Sequence, residues 1–190
     1  MKRILVIDNY DSFTYNLVHA VQKITGRKTD VYRNDMIPLE EVKKYDKIIL
    51  SPGPGIPNEA GNLKAIIKEY APGKSIFGVC LGLQAIGEVF GGKLLNLNKV
   101  YHGVASQISV LVNDEPLFRG IPDKFDAGRY HSWIVKQEEL PAELEITAKD
   151  PENEIMALRH VKYDVRGVQF HPESVLTPHG EQMIKNWLNS

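Results

Sequence analysis

Residues Ser75-Ile76-Phe77-Gly78-Val79-Cys80-Leu81-Gly82-Leu83-Gln84 impose the tightest constraint on how this chain can fold. Their first half is a short apolar run of the kind buried as a parallel strand. Their second half opens a segment whose apolar residues Leu83, Ile86, Val89 and Phe90 recur at helical spacing. Between the halves stands a Gly-x-Cys-x-Gly pentad, Gly78, Cys80 and Gly82. A strand that turns sharply into a helix pushes the residue at the turn clear of the sheet, and glycines beside it leave room for neighbouring backbone. A thiol held there also meets a helix N-terminus, whose free N–H groups and dipole suit an anion. A lone cysteine in an apolar run is more often a small buried hydrophobe. The glycine spacing favours the turn, and the far end of the chain has to decide.

The totals exclude several classes. A chain of 190 residues suits one domain with a sizeable core, spanning residues 1–190. A formal net charge of -1 with 25% charged residues is neither a nucleic-acid footprint nor a membrane-attracting surface. One cysteine allows no internal disulfide, which fits a reducing compartment. Met1-Lys2-Arg3-Ile4 runs straight into a strand without the apolar core of a signal peptide, and no run reaches transmembrane length. The expectation is a soluble cytoplasmic protein.

Ahead of the pentad, strand and helix patterns alternate. Ile4 to Ile7 reads as a central strand, followed by a helix carrying Phe13, Leu17, Val18, Val21 and Ile24, capped by Asp11 or Ser12 and stopped by Gly26. Lys28 to Arg33 is a more polar strand suited to an edge, Pro38 to Val42 a short helix, and Lys47 to Leu50 a third strand. Asn62 to Tyr70 is a helix closed by Pro72-Gly73. This alternation predicts an α/β fold with a parallel sheet and helices on both faces. Beyond Lys93 come short strand-like runs at 94–97, 107–112, 144–148 and 155–159, which suggest an antiparallel extension. Arg129 to Val135 is partly strand-like, Val165 to Phe170 is the last strand, and Gln182 to Leu188 is a closing helix.

Two further segments carry chemistry. Ser51-Pro52-Gly53-Pro54-Gly55 follows the third strand and so lies at the carboxyl edge, where ligands bind in open α/β sheets. Read locally it is either an ordinary turn or half of an oxyanion hole, the other half being the N–H that follows the nucleophile. His171-Pro172-Glu173 follows the last strand, so two side chains on one side of extended backbone can pair while the imidazole faces Cys80.

Gly78 to Gln84, Ser51 to Gly55 and Gly167-Val168-Gln169-Phe170-His171-Pro172-Glu173-Ser174 resemble the three motifs of class I (triad-type) glutamine amidotransferases and occur along the chain in the family's order. The resemblance covers essentially the whole chain. It implies a flavodoxin-like fold with a mixed central sheet, and hydrolysis of glutamine to glutamate and ammonia through a cysteine thioester. It implies Cys80 as nucleophile, His171 as general base and acid, and Glu173 as orienter. The N–H groups of Gly53 and Leu81 match the oxyanion hole. Gly53, Pro54, Gly55 and Gln84 match substrate-contacting positions. Ser132 and Trp133 match a His-Ser-Leu segment whose backbone holds the substrate's amino and carboxylate groups, with Trp133 in place of Leu.

Within the family, Asp8 to Leu17 and Arg129-Tyr130-His131-Ser132 resemble the subgroup serving chorismate enzymes, anthranilate synthase component II and aminodeoxychorismate synthase component II. His102-Gly103 resembles its His-Gly-Lys segment, with Val104 where Lys is common. The resemblance implies a chorismate-binding component I partner, anthranilate synthase first and aminodeoxychorismate synthase second. No cofactor or metal is expected in this chain, and Mg²⁺ only on the partner. A stand-alone γ-glutamyl cysteine hydrolase and a non-catalytic binding module are the readings from other classes.

Overall fold

The computed structural model describes residues 2–190. The first half of the chain lays down β1 (Ile4–Asp8), α1 (Thr14–Thr25), β2 (Asp30–Arg33), β3 (Lys47–Leu50), α2 (Leu63–Tyr70), β4 (Ser75–Val79) and α3 (Leu81–Val89). The second half adds β5 (Leu94–Asn96), β6 (Val104–Val110), β7 (Lys124–Arg129), β8 (Trp133–Val135), β9 (Leu144–Lys149), β10 (Ile155–His160), β11 (Val165–Val168) and α4 (Gly180–Asn189). The main sheet runs β2-β1-β3-β4-β11-β10-β9-β6-β7, while β5 and β8 form a separate antiparallel pair. Neighbours from β2 to β11 are parallel, and the rest are antiparallel. The parallel part has the flavodoxin-like order, the expected mixed α/β sheet.

Strand periodicity divides the core between the two faces of the sheet. Leu5, Ile7, Ile48 and Leu50 point to one face, where they meet Ile66 and Ile67 of α2 and Leu83 and Ile86 of α3. Val6, Ile49 and Phe77 point to the other and meet Leu17 and Val21 of α1 and Met183, Ile184 and Trp187 of α4. Burial on both faces is why β3 and β4 read as unbroken apolar runs, and why β2, exposed at the edge, does not. Lys47 is the exception, a lysine only 1% exposed. Its Nζ donates to the Trp187 carbonyl at 2.7 Å and to Ser75 Oγ at 3.2 Å, tying β3 to the last turn of α4. Burial lowers its pKa to about 8.

Beyond shifts of a few residues at other ends, four boundaries differ from the sequence reading in ways that matter to the packing or the site. α1 starts at Thr14 with no side-chain cap; the Asp11 carboxylate instead accepts from the Phe13 N–H at 2.7 Å in a local turn. β6 covers 104–110 rather than 107–112, because it pairs along its length with β7. β7 was not anticipated, although Phe125 and Ala127 alternate inward with polar neighbours. β11 ends at Val168, so Gln169 and Phe170 already belong to the turn that leads to His171.

The elbow after β4 depends on close backbone approach. A Cβ on Gly82 would lie 2.5 Å from the Leu50 carbonyl oxygen, and one on Gly78 would lie 2.5 Å from the Gly82 carbonyl carbon. Gly82→Ala must therefore push α3 away from β3. The expected cost is about 1–3 kcal/mol, seen as a melting temperature lowered by roughly 2–4 °C for each kcal/mol. An unchanged melt would show that α3 has slack here.

Candidate active site

Four strands deliver the site to one edge of the sheet. β4 ends at Cys80, whose φ of 52° and ψ of -102° are a strained backbone for a residue with a Cβ. Its N–H is held by the Val168 carbonyl of β11 at 2.8 Å. Leu81 is the first residue of α3, so its N–H has no partner within the helix.

The loop after β3 is pinned from β1. Asn9 Nδ2 donates to the Ser51 carbonyl at 2.8 Å, and the Asn9 N–H donates to Ser51 Oγ at 2.9 Å. Asn34 Nδ2 completes the set by donating to Asn9 Oδ1 at 3.0 Å. Gly53 packs so tightly that an added Cβ would sit 2.6 Å from Asn9 Cβ and 2.7 Å from Leu81 Cδ2. Its backbone is thereby held against the start of α3, where an oxyanion hole requires it.

His171 and Glu173 lie in a turn rather than in extended backbone, which corrects the reason given for their pairing. The turn is fastened to β7: the His171 N–H donates to the Gly128 carbonyl at 2.9 Å, and Thr177 Oγ1 accepts from the Gly128 N–H at 2.9 Å while donating to the His171 carbonyl at 2.7 Å. The expected pair forms all the same, with His171 Nδ1 2.7 Å from Glu173 Oε1 and both side chains buried. Burial by itself would lower the imidazole pKa, but the Cys80 sulfur and the Glu173 carboxylate outweigh it and push the group up to about 10. The fold therefore favours a protonated imidazole held between the Cys80 sulfur and the Glu173 carboxylate. Nε2 makes no conventional hydrogen bond. Phe13, expected on the core face of α1, instead packs 5.7 Å from His171, and Tyr130 packs 4.8 Å from it, ring centre to ring centre.

A cavity of about 260 Å³ opens above Cys80. Gly53, Pro54, Gly55 and Gln84 line one part of it, and His102, Ser132 and Trp133 another. His171, Glu173 and Leu81 are not part of its lining. A slightly larger hollow of about 290 Å³ near Asp114, Glu115 and Arg119 has no cysteine, serine or threonine in its lining.

The 132–133 segment is more committed than its sequence suggests. The Trp133 carbonyl accepts from Gln84 Nε2 at 2.8 Å and is 3.1 Å from His131 Nδ1, and the Ser132 carbonyl accepts from the Leu97 N–H at 2.7 Å. With both Trp133 lone pairs used, that carbonyl has nothing left for a ligand. Gln84 Nε2 also donates to Gln169 Oε1 at 3.3 Å, so Gln84 has only its oxygen to offer, an acceptor for an N–H. Arg129 anchors the network. It is 1% exposed, binds Asp150 at 2.6 Å and Glu154 at 2.8 Å, and donates from Nε to His131 Nε2 at 3.1 Å. His131 must then accept at Nε2 and carry its proton on Nδ1. Asn9, Arg129 and Gln169 had no assigned role in the sequence reading. Their signal was a polar residue inside or beside an apolar strand.

A thiol on an elbow, a buried His-Glu pair and the backbone N–H groups of a tightly packed loop and a helix start are the parts that acyl transfer through a covalent intermediate needs. Two expectations concern stability. Cys80→Gly relieves the positive φ, so it should melt about 2–4 °C above Cys80→Ala, net of the entropy cost of glycine. Equal melting temperatures would show that the elbow stores no strain. His131 is held neutral, its pKa lowered from 6.5 to about 3 by burial and then by Arg129. The unfolded chain gains a proton below about pH 6.5 and the fold does not, so stability is lost as pH falls from there towards 3. His131→Gln should remove this dependence. Urea unfolding at about pH 7.5 and 5 should show a wild-type loss larger than the variant's by on the order of 2 kcal/mol; equal losses would refute a neutral His131.

The family model for Glutamine amidotransferase class-I matches residues 5–190. The chain is 45% identical over its full length to the "Bifunctional protein TrpGD" of Thermotoga maritima, of which it spans 32%. It is 44% identical to the "Aminodeoxychorismate/anthranilate synthase component 2" of Bacillus subtilis, covering 98% of this chain and 96% of the relative. In fold it is similar to a crystal structure of a glutamine amidotransferase from Thermotoga maritima, with a TM-score of 0.77 at 16% identity over 99% of this chain and 96% of that one. With its motifs on one sheet edge and a family match that runs almost from end to end, the chain belongs to the class-I glutamine amidotransferases.

Proposed function

We propose that this chain is the glutaminase subunit of a chorismate-aminating synthase, anthranilate synthase in the first place and aminodeoxychorismate synthase in the second. The observation that carries the reading is the buried His171–Glu173 pair acting on Cys80 beside the cavity. The whole span 1–190 is read as one domain doing this work. The Cys80 thiolate attacks the side-chain amide carbon of glutamine, and the developing oxyanion is met by the Gly53 and Leu81 N–H groups. His171 gives its proton to the departing nitrogen, which leaves as ammonia. His171 then takes a proton from water as the water attacks the thioester, and glutamate is released. Glu173 keeps the ring oriented throughout. Gln84 accepts from the substrate. The 132–133 segment contributes N–H groups, with the Ser132 carbonyl as its remaining acceptor. No step calls on a metal in this chain.

The partner follows from the product. Ammonia released into water is protonated and diluted, so a second polypeptide that consumes it should cover the cavity. Val100, which lines the cavity and is 72% exposed, and Val175, two residues past Glu173 and 96% exposed, give that polypeptide an apolar rim. The Bacillus subtilis relative's name joins both synthases, which supports service to either. Among the described residues no helix is long and apolar enough to cross a membrane. A free thiol nucleophile suits the reducing cytoplasm.

Cys80→Ser, reconstituted with each candidate component I, tests the reading. Glutamine-dependent synthesis should fall by three orders of magnitude or more, on the order of other nucleophile deletions. Synthesis driven by added ammonia should stay at the wild-type level. Loss of both activities or of neither defeats the proposal. Strong glutamine hydrolysis by the isolated chain, unaltered by either partner, would point instead to a stand-alone hydrolase.

A further inference from the structure

Gln169 is fully buried, one residue past the end of β11. Its backbone N–H donates to the Met156 carbonyl at 2.8 Å, so the residue is fixed independently of its side chain. The side-chain amide reaches Cys80, with Nε2 3.5 Å from Sγ, an ordinary separation for a donor to sulfur. Nothing in the reaction outlined above uses this contact.

The direction of the contact is dictated from a distance. The Trp133 carbonyl can only accept, so Gln84 must turn its NH₂ group towards it. The second hydrogen of that NH₂ group then faces Gln169, which must answer with Oε1. This leaves the Gln169 NH₂ group, and not its oxygen, facing the sulfur. A flip of either amide would set two donors or two acceptors against each other in a buried site, at a cost of about 1–3 kcal/mol. The Trp133 carbonyl is itself held through His131 by Arg129, a group that can only donate. A chain of hydrogen bonds thus runs from a buried arginine to the nucleophile and ends in an N–H.

We propose that Gln169 is a sulfur-contacting residue that stabilises the Cys80 thiolate, with Gln84 as the positioning residue that aims it. The proposal rests on Cys80 being the nucleophile. An N–H donor to sulfur favours the states in which sulfur is negative. During acylation the sulfur's electron pair forms the S–C bond and the contact weakens. During hydrolysis of the thioester the water oxygen bonds to carbon, its proton passes to His171, and the C–S bond breaks with its electron pair returning to sulfur. The contact strengthens as that pair arrives. Gln169 therefore assists deacylation and enlarges the thiolate population, at a small cost in nucleophilicity.

Because Cys80 is the only cysteine, the rate of alkylation of the whole chain by iodoacetamide reports this sulfur alone. The variants are Gln169→Met, which keeps length and loses the donor, Gln169→Glu, which replaces it with a carboxylate, and Gln84→Met, which removes the aim. His171, the titratable neighbour that acts on Cys80, is common to all of them. In Gln169→Met the pH–rate midpoint should rise by about one pH unit, making alkylation roughly tenfold slower near neutral pH. Gln169→Glu should move it further in the same direction, and Gln84→Met less far. In rapid-mixing assays with glutamine, Gln169→Met should also accumulate the thioester, seen as a burst of ammonia. Melting curves establish which variants fold; if the methionine variant does not, the glutamate variant decides. A folded Gln169 variant with the wild-type profile overturns this proposal and leaves the functional reading standing. Failure of a glutamine-mimicking chloromethyl ketone to label Cys80 in the wild-type protein overturns both.

Discussion

The contact between His171 and Glu173 carries the site, because burial acts against it. An imidazole removed from water tends to shed its proton. Here a carboxylate at 2.7 Å and the neighbouring sulfur reverse that tendency. The pair is useful only if the turn beneath it does not move. That turn is bolted to β7 through Gly128 and Thr177, while Phe13 and Tyr130 cover the imidazole with aromatic surface. β7 belongs to the antiparallel extension, so this part of the sheet serves as a bracket for the catalytic end of the parallel part.

A second layer of polar groups holds the opposite wall. Arg129 is buried with two carboxylates, an arrangement that is seldom the most stable use of a core position. Its value here is directional. A guanidinium is always a donor, so it determines which nitrogen of His131 carries the proton. The Trp133 carbonyl and the amides of Gln84 and Gln169 then follow in turn. Asn9 plays the corresponding part for the loop that carries Gly53. Both arrangements are anchored by a buried group outside the cavity lining, Arg129 in one and Asn9 in the other.

Much of this was legible in the residues. Unbroken apolar runs marked β1, β3 and β4, because strands buried on both faces need apolar residues at every position. The glycines around Cys80 marked the elbow, because only glycine fits where a Cβ would strike backbone. β7 was not legible, because Asp126 and Gly128 interrupt its apolar character and its pairing with β6 is a tertiary matter. Phe13 was misplaced because helical periodicity continues past the true end of α1. The end of β11 was misjudged because Gln169 and Phe170 keep the strand's composition after its ladder has stopped.

Which chemical groups were available, and which sheet edge they would reach, could be read from the residues, since spacing and glycine placement are local properties of the backbone. How those groups are protonated and oriented is set only when distant segments pack together. Whether His171 holds its proton and His131 lacks one depends on burial and on charges from distant segments. Whether Gln169 presents nitrogen or oxygen to Cys80 depends on hydrogen bonds passed between residues far apart in the chain. Such bonds leave no periodic trace in a sequence, because they exist only once the strands stand side by side.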